Sequence, residues 1–191
     1  MIDPINMTQY DLSHEKLEET LLFAVCAAGK NAVTTAKCLE TFLNKCRYVL
    51  NDNNSPFKLI ELADQVLNLE QTIRSSGLGC YNNRAKSFRA LYSRGLNLKE
   101  CSIEELESIP GIGPKTSRFF LLHTRRDVKL AALDVHILRY MGDHGIVVPK
   151  STPTGVKYLH LEQKFLELAQ KSGKSVAEFD LDIWREYRKK V

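Results

Sequence analysis

The sequence has no long apolar segment and no targeting segment. A helix needs about 20 consecutive apolar residues to span a bilayer, and no such run occurs in the 191 residues. The first residues also lack the basic and then apolar pattern of a secretory signal peptide. These absences predict a soluble cytoplasmic protein with no membrane partner. The formal net charge of +4 is a mild surplus, which suits a polyanionic partner without requiring one.

The cysteines are not arranged as metal ligands. The five cysteines are odd in number, no two of them form a C-x-x-C pair, and none follows Cys101. This spacing does not fit the usual zinc motifs or a disulfide framework. We therefore expect reduced thiols and no metal site.

Almost every segment between glycines and prolines has the apolar periodicity of a helix, as in the stripe formed by Leu17, Leu21 and Ala24. A chain of this length with 43% hydrophobic residues can bury a substantial core. The pattern predicts an all-α protein. The predicted helices include Ser13–Ala28, Ala32–Tyr48, Phe57–Leu67, Leu69–Ser75 and Tyr158–Gly173.

A glycine-rich turn, I-P-G-I-G-P-K at residues 109–115, separates two predicted helices. Pro110 ends the first helix, since a residue before proline is driven out of the α region and proline donates no amide hydrogen. Gly111 and Gly113 permit unusual backbone conformations and the close approach of another backbone. Pro114 fits the first turn of the second helix. The turn therefore predicts a helix-hairpin-helix motif.

The hairpin is expected to span residues 102–124. Ser102 begins a capping box, S-I-E-E, which marks the start of the first helix. The N-terminus of the second helix is a natural site for a phosphate. Lys115 at that N-terminus has two interpretations, because lysine can bind phosphate as a cation or act as a nucleophile in the form of a neutral amine. Desolvation and a helix N-terminus both favour the neutral form of an amine.

A carboxylate lies nineteen residues after this lysine, at Asp134 in L-D-V-H-I-L-R. Asp134 precedes a predicted helix, so it can serve as a plain N-cap. It can also stabilise a positive charge that develops near it during a reaction. His136 is two residues further on and cannot share a helix face with Asp134, so we expect it to be a buried structural histidine.

The hairpin and the L-D-V-H-I-L-R segment together resemble the helix-hairpin-helix DNA glycosylases, the superfamily that includes endonuclease III and the 8-oxoguanine glycosylases. In that superfamily the hairpin lysine and this aspartate form the active site, and the matching residues here are Lys115 and Asp134. Endonuclease III usually ends in a four-cysteine iron–sulfur loop. Because no cysteine follows Cys101, the resemblance implies a relative without that cluster.

The C-terminal part is similar to the type 2 8-oxoguanine DNA glycosylase/lyases of archaea and bacteria. The similarity lies in Y-L-H-L-E at residues 158–162 and in F-D-L-D-I-W at residues 179–184. Two departures occur. The hairpin sequence is closer to that of endonuclease III, and the tail ends in K-K-V at residues 189–191 instead of a terminal lysine.

The resemblance implies one glycosylase domain over residues 1–191, built from two closely packed helical subdomains with the hairpin at the cleft between them. The central subdomain is expected at about 30–135 and includes the hairpin. The terminal subdomain is expected at about 8–29 plus 136–191. No iron–sulfur cluster is expected in either part.

The implied function is that of a bifunctional DNA glycosylase/AP lyase in base excision repair. Such an enzyme removes an oxidised base, here 8-oxoguanine, through a lysine Schiff base and cleaves the strand by β-elimination. The alternatives are an oxidised-pyrimidine glycosylase like endonuclease III and a non-catalytic DNA-binding module. The implied partner is double-stranded DNA with a damaged base, bound by a monomer at the nucleoid. No cofactor is expected, although hairpins of this type can hold a monovalent cation.

The resemblance also implies a set of DNA-binding residues. They are Lys30 and Asn31 in a loop that enters the DNA, Arg84 after the G-L-G turn, and Gly111, Ile112, Gly113 and Thr116 in the hairpin. Asn31 can pair with the orphaned opposite base or cap a helix. Arg84 can contact phosphate or belong to a solvated helix face.

Two aromatic residues are candidates for the damaged-base pocket. They are Phe179 and Trp184 in the F-D-L-D-I-W segment. A single tryptophan among leucines can stack on a flipped base, and it can equally belong to the core. The sequence leaves both interpretations open.

Overall fold

The computed structural model describes residues 1–51 and 53–188, so the tail at residues 189–191 lies outside the described residues. Within the described ranges the chain forms ten helices and no strand, which confirms the predicted all-α class. The helices are α1 (His14–Ala27), α2 (Ala32–Leu50), α3 (Pro56–Val66), α4 (Leu69–Ser75), α5 (Tyr81–Arg94), α6 (Ile103–Glu107), α7 (Pro114–Thr124), α8 (Val135–Asp143), α9 (Gly155–Ser172) and α10 (Val176–Tyr187). No helix of the described part is long and apolar enough to cross a membrane.

The helix ends follow the local capping rules. The capping box predicted at Ser102 is confirmed, and Ser175 begins a second capping box with the sequence S-V-A-E. In the first of them, Ser102 Oγ accepts from Glu105 N at 3.2 Å, and Ser102 N donates to Glu105 Oε2 at 2.7 Å. Gly173 ends α9 in the left-handed conformation, with φ 71°, which a glycine adopts at little cost.

The chain divides into two compact units. Unit 1 contains Met1–Pro4 and Leu12–Ile112, and unit 2 contains Ile5–Asp11 and Gly113–Val191. Helices α1–α6 belong to unit 1, and α7–α10 belong to unit 2. The subdomain limits expected from the resemblance, near residues 30 and 135, stay a prediction.

Each unit has its own apolar core. In unit 1 the rings of Phe42 and Phe88 are fully buried, with their centroids 5.7 Å apart. In unit 2 a cluster from α8, α9 and α10 includes Leu133, Ile137, Met141, Tyr158, Phe165, Phe179, Ile183 and Tyr187. The segment Ile5–Asp11 is tied to unit 2, because Met7 is buried and Gln9 N donates to His123 O at 3.0 Å.

An ionic network joins three helices of unit 1. Arg89 on α5 donates to both oxygens of Asp64 on α3, at 2.7 and 2.8 Å, and to Glu70 on α4 at 2.6 Å. The Tyr92 hydroxyl also donates to Asp64, at 2.9 Å. The hydrogen bonds from Arg89 lower the pKa of Asp64 and of Glu70, and burial opposes this effect at both carboxyls.

This network predicts that Arg89→Gln is less stable than the wild type at neutral pH and that this loss becomes smaller in acid. A carboxyl whose folded pKa is depressed stabilises the fold above its ordinary pKa, and this contribution is lost as the pH falls through the folded value. The Arg89 side chain is 40% exposed, so solvent screening limits the expected cost to about 1 kcal/mol at neutral pH. Urea unfolding at about pH 7 and about pH 3 measures it.

At the acidic pH the difference in the free energy of unfolding between Arg89→Gln and the wild type should become smaller. Arg94→Gln is the matched control, because Arg94 lies on the same helix and donates to the Ser108 hydroxyl instead of a carboxylate. An equal loss for Arg89→Gln at both pH values would contradict the expectation.

Candidate active site

The two hairpin glycines have different conformations. Gly111 has φ 85°, and a Cβ added there would lie 2.6 Å from Ser87 Oγ. That hydroxyl donates to Pro110 O at 2.6 Å, so glycine is needed at position 111 for both conformation and space. Gly113 has φ −108° and ψ −176°, which is ordinary extended backbone. The expectation of an unusual conformation at Gly113 is therefore wrong. An added Cβ at Gly113 meets nothing within 4 Å, so the space beside it is open.

Helix α7 begins directly after this open position. Its N-cap is Gly113, which has no side chain to cap the helix. The amides of Thr116 and Ser117 both donate to Gly113 O, at 3.0 and 3.1 Å. The side chains of Ile112 and Thr116 are buried. Any DNA contact at these two expected positions therefore has to use main-chain atoms.

Lys115 is the second residue of α7 and is half-buried. Its Nζ lies 4.9 Å from the centroid of the Phe119 ring. The Phe119 ring in turn meets the ring of His123 edge-on, with centroids 4.7 Å apart. Spacing by four residues places all three side chains on one face of α7. The lysine therefore lies against an aromatic surface at the N-terminal end of this helix.

Asp134 is the N-cap of α8. Its Oδ1 accepts from His136 N at 2.8 Å and from Ile137 N at 2.9 Å. Both capping bonds use the same oxygen, so capping leaves Oδ2 available for another charge or proton. The two interpretations of Asp134 are therefore compatible, because one oxygen can hold the helix while the carboxylate keeps its charge.

Asp180 on α10 connects the lysine and the aspartate electrostatically. It is only 5% exposed, and its Oδ2 lies 3.4 Å from Nε2 of the buried His123. Burial raises the pKa of the Asp180 carboxyl; His123 opposes the rise, the charge on Asp134 adds to it, and the charge on Lys115 lowers it. Since Lys115 and Asp134 both act on this one group, they share an electrostatic environment in unit 2.

Asp180 is a candidate site residue that the sequence analysis missed. Its sequence signal is its spacing, three residues after Ala177 and three before Ile183, which are both buried. A carboxylate on the apolar stripe of an amphipathic helix is unusual, because burying a charge is costly. The apolar periodicity of the first turns of α10 could therefore have predicted that Asp180 is buried.

The two candidates for the base pocket have different surroundings. Phe179 is buried in the core of unit 2, with ring centroids 5.3 Å from Phe165 and 5.5 Å from Tyr140. Trp184 is only partly buried. The Arg188 guanidinium lies over the Trp184 ring at 4.8 Å, and the His136 ring is edge-on to it at 6.5 Å. Of the two, Trp184 is the one with surface left for a ligand.

His136 differs in part from the expected buried structural histidine. The residue as a whole is half-buried and lies on the first turn of α8. Its Nδ1 is buried and has no hydrogen-bond partner among the described residues. A buried polar atom without a partner is uncommon in a folded protein.

A second group of expected site residues lies in unit 1. Asn31 is the N-cap of α2, and its Oδ1 accepts from Thr34 N at 3.0 Å. Lys30 and Asn31 line a cleft of about 270 Å³ together with Thr34, Thr35, Cys38, Gly77, Leu78 and Gly79. The capping bond uses only the amide oxygen of Asn31, so its Nδ2 donors can serve a ligand in this cleft.

Arg84 does not lie on a solvated helix face, so that interpretation is wrong. The side chain is buried, and its guanidinium donates to Gly79 O at 2.8 Å and to Cys26 O. Cys26 belongs to the last turn of α1, where carbonyl groups have no partner within the helix. The arginine thus shapes the turn beside the Lys30–Asn31 cleft from within the protein.

The described residues contain no group of three or more histidine, cysteine or acidic side chains that could hold a metal ion. All five cysteines are free thiols. Burial raises the pKa of Cys26 to about 12 and that of Cys46 to about 11. These two thiols are therefore protonated and unreactive at neutral pH.

The expected site residues fall into two sets. Unit 2 contains Gly113, Lys115, Thr116, Asp134, Phe179 and Trp184, and unit 1 contains Lys30, Asn31, Arg84, Gly111 and Ile112. The nucleophile candidate and its carboxylate thus belong to the same compact unit, which fixes them in one local structure.

Comparisons with known proteins identify the family. Residues 6–174 match the 8-oxoguanine DNA glycosylase family, Ogg-HhH. An 83-residue segment is 37% identical to the 8-oxoguanine DNA glycosylase/AP lyases of Thermotoga maritima and Thermotoga neapolitana; it covers 42% of this chain and 39% of the length of each relative.

The fold is also similar to a solved structure, that of Tm1821, the 8-oxoguanine DNA glycosylase of Thermotoga maritima. The TM-score is 0.66 at 25% identity, and the match covers 89% of this chain and 78% of the other. The family match extends over most of the chain and includes both Lys115 and Asp134. This protein therefore belongs to the helix-hairpin-helix 8-oxoguanine DNA glycosylase family.

Proposed function

We propose that this protein is a bifunctional DNA glycosylase/AP lyase of base excision repair that removes 8-oxoguanine from duplex DNA. The observation that carries the proposal is the arrangement of Lys115 and Asp134 in unit 2. The lysine lies at the N-terminus of a helix with no side-chain cap, and the aspartate is held by two main-chain amides through one oxygen. Both charges act on the same buried carboxyl, Asp180.

In the proposed reaction the neutral Lys115 amine attacks C1′ of the damaged nucleotide. The glycosidic bond breaks, and its electron pair leaves with the base. The nitrogen gives one proton to the departing base and its second proton to O4′, which takes the electron pair of the C1′–O4′ bond as the ring opens. A Schiff base remains between Nζ and C1′. Loss of a proton from C2′ expels the 3′ phosphate with the electron pair of the C3′–O bond, which is β-elimination. Water finally hydrolyses the imine.

Asp134 has the electrostatic role in this scheme. Positive charge develops on the sugar as the glycosidic bond breaks, and a carboxylate already fixed in place stabilises that charge without reorganising. The half-buried setting strengthens the interaction relative to bulk water. The reaction draws its nucleophile and its charge from side chains and needs no cofactor.

The damaged nucleotide has to leave the duplex before Lys115 can reach C1′. The open space at Gly113 and the uncapped start of α7 suit a phosphate of the flipped strand. Trp184 has surface on which the extruded base can stack. Lys30 and Asn31 suit the strand opposite the lesion, where the Asn31 amide can donate to the orphaned base.

The central prediction is a covalent intermediate at Lys115. Borohydride should trap the wild-type protein on a duplex containing 8-oxoguanine and on an abasic duplex, since it reduces the imine to a stable amine. Lys115→Gln should still bind lesion DNA, and its trapped product should fall by at least about a thousandfold. Denaturing gels measure the adduct. Lys171→Gln, which changes an exposed lysine of α9 in the same unit, should trap like the wild type.

Three outcomes would overturn parts of this proposal. A wild-type protein that gives no adduct on the abasic duplex would favour a non-catalytic DNA-binding module. Equal trapping by the wild type and Lys115→Gln would place the nucleophile elsewhere. Because the hairpin sequence resembles that of endonuclease III, base release should also be measured on duplexes with oxidised pyrimidines. Faster release of those bases than of 8-oxoguanine would change the assigned substrate.

The charge and the cap of Asp134 can be separated by two substitutions. Asp134→Asn keeps an Oδ1 acceptor for the α8 amides and removes the charge, so it should unfold like the wild type. We expect its single-turnover base-release rate to fall by roughly a hundredfold to a thousandfold. Asp134→Ala should lose the same activity and in addition about 1 kcal/mol of stability, because the cap is gone. A wild-type rate in Asp134→Asn would exclude an electrostatic role for this residue.

Asn31→Ser tests the contact with the opposite base. Serine is also a good N-cap, so α2 should remain intact while the Nδ2 donors are lost. Loss of one hydrogen bond should reduce the preference between opposite bases roughly threefold to tenfold, as measured by base-release rates with each base opposite the lesion. The matched control is Asn68→Ser, which changes an N-cap with the same bond to Gln71 N in the same unit. If both variants change the preference equally, Asn31 has no specific role.

A further inference from the structure

The three residues before Asp134 are held by two side chains of α9. Ala131 N donates to Glu162 Oε1 at 2.9 Å. The Tyr158 hydroxyl donates to Ala131 O at 2.6 Å and accepts from Leu133 N at 3.1 Å. This segment is not helical, so its main-chain groups need partners from elsewhere. Glu162 and Tyr158 supply those partners directly before the capping carboxylate.

The same glutamate oxygen is bound by the helix that carries Lys115. Arg118, three residues after the lysine on α7, donates from Nε to Glu162 Oε1 at 2.9 Å. Its Nη1 donates to Pro114 O at 3.4 Å, at the first residue of α7. Its guanidinium also lies 4.7 Å from the centroid of the Tyr158 ring. One carboxylate oxygen therefore joins the start of α7 to the segment before Asp134.

Stability alone does not explain this network. The side chains of Arg118 and Glu162 are only 8% and 9% exposed. Burying an ion pair gives little net stability, because desolvation offsets the attraction between the charges, and well-packed apolar residues often serve as well. Apolar side chains would not supply an acceptor for Ala131 N or fix which residue of the segment faces α7. The network therefore fixes the register of the segment before Asp134 relative to α7.

The Tyr158 hydroxyl is suited to this role. The side chain is 1% exposed, and burial raises the pKa of Tyr158 above its ordinary value, while the hydrogen bond from Leu133 and the charge on Arg118 oppose the rise. The hydroxyl therefore stays protonated at neutral pH, so it can donate to one main-chain group and accept from another at the same time.

We infer that Arg118, Glu162 and Tyr158 are positioning residues that set the Asp134 carboxylate in place relative to Lys115. The inference rests on the proposed function, since it concerns the two groups assigned to the reaction there. None of the three needs to touch the substrate. Their effect on the rate comes through Asp134 and Lys115, because a displacement of about 1 Å from the reactive geometry can cost on the order of a hundredfold in rate.

The test is Tyr158→Phe, which removes only the hydroxyl. We expect the single-turnover base-release rate on the 8-oxoguanine duplex to fall by about tenfold to a hundredfold. The dissociation constant for that duplex should change by less than about twofold, because no DNA contact is removed. A role in folding alone would leave the rate unchanged at temperatures where the variant is folded.

Tyr187→Phe is the matched control. Tyr187 lies in the same core cluster and is similarly buried, and its hydroxyl donates to Asp143 Oδ2 at 2.7 Å. The substitution therefore removes one buried hydroxyl of the same unit without touching the segment before Asp134. Its thermal stability should fall as in Tyr158→Phe, while its rate should stay within about twofold of the wild type.

A readout that does not require activity separates this inference from the proposed function. The amide resonances of His136 and Ile137 report on the two bonds to Asp134 Oδ1, and they should move in Tyr158→Phe but not in Tyr187→Phe. A wild type that neither releases the base nor gives an adduct sinks the proposed function, and the amide shifts still test the positioning. Wild-type rate together with unmoved amide shifts in Tyr158→Phe overturns the inference alone.

Glu162→Gln gives a second test if Tyr158→Phe does not fold. Glutamine keeps an acceptor for Ala131 N but removes the charge that binds Arg118, so the link between α7 and the segment should loosen. The same result is expected, with a lower rate, unchanged DNA affinity and moved amide shifts for His136 and Ile137. A folded Glu162→Gln with wild-type rate and shifts would overturn the inference as well.

Discussion

A single oxygen atom, Asp134 Oδ1, holds the first turn of α8 by accepting two main-chain amide hydrogens. The proposed chemistry depends on this interaction, because it immobilises the carboxylate without consuming its charge. A free aspartate would lose side-chain entropy on being ordered beside the substrate, whereas a capping aspartate is already ordered when the helix folds. Asn31 in unit 1 is ordered in the same way. Its Oδ1 accepts from the first turn of α2, and its Nδ2 donors remain available.

The surroundings of the two proposed reacting groups contain more buried ionisable side chains than a helical core usually does. Asp180 and His123 form a buried pair on α10 and α7, and Arg118 and Glu162 form another on α7 and α9. The charges of the Arg118–Glu162 pair carry a desolvation penalty that pairing only partly offsets. In a low-dielectric interior, however, fixed charges act strongly on their neighbours. Helix α7, which begins beside Lys115, contributes one member to each pair.

The hairpin shows how two glycines of one motif can serve different purposes. Gly111 is required by its positive φ and by the hydroxyl of Ser87, which leaves no room for a Cβ. Gly113 has an extended backbone and open space beside it. The first glycine therefore builds the turn, and the second leaves a surface that a phosphate can approach. A substitution at each position would test a different property of the hairpin.

The sequence by itself determined the features that depend on neighbours within a few residues. Proline and glycine indicate the position of the hairpin, and capping boxes indicate where α6 and α10 begin. The position of Asp134 before an apolar helix predicts that it caps this helix. All of these effects act over one helical turn. The tertiary structure decided the rest. Arg84 is buried, and its guanidinium donates to a carbonyl 58 residues away. The buried Asp180 has His123, on another helix, as its partner. Phe179 lies in the core because α8 and α9 enclose it. Local periodicity carries no information about such distant partners. The contacts between polar side chains from different helices are therefore seen only in the tertiary structure.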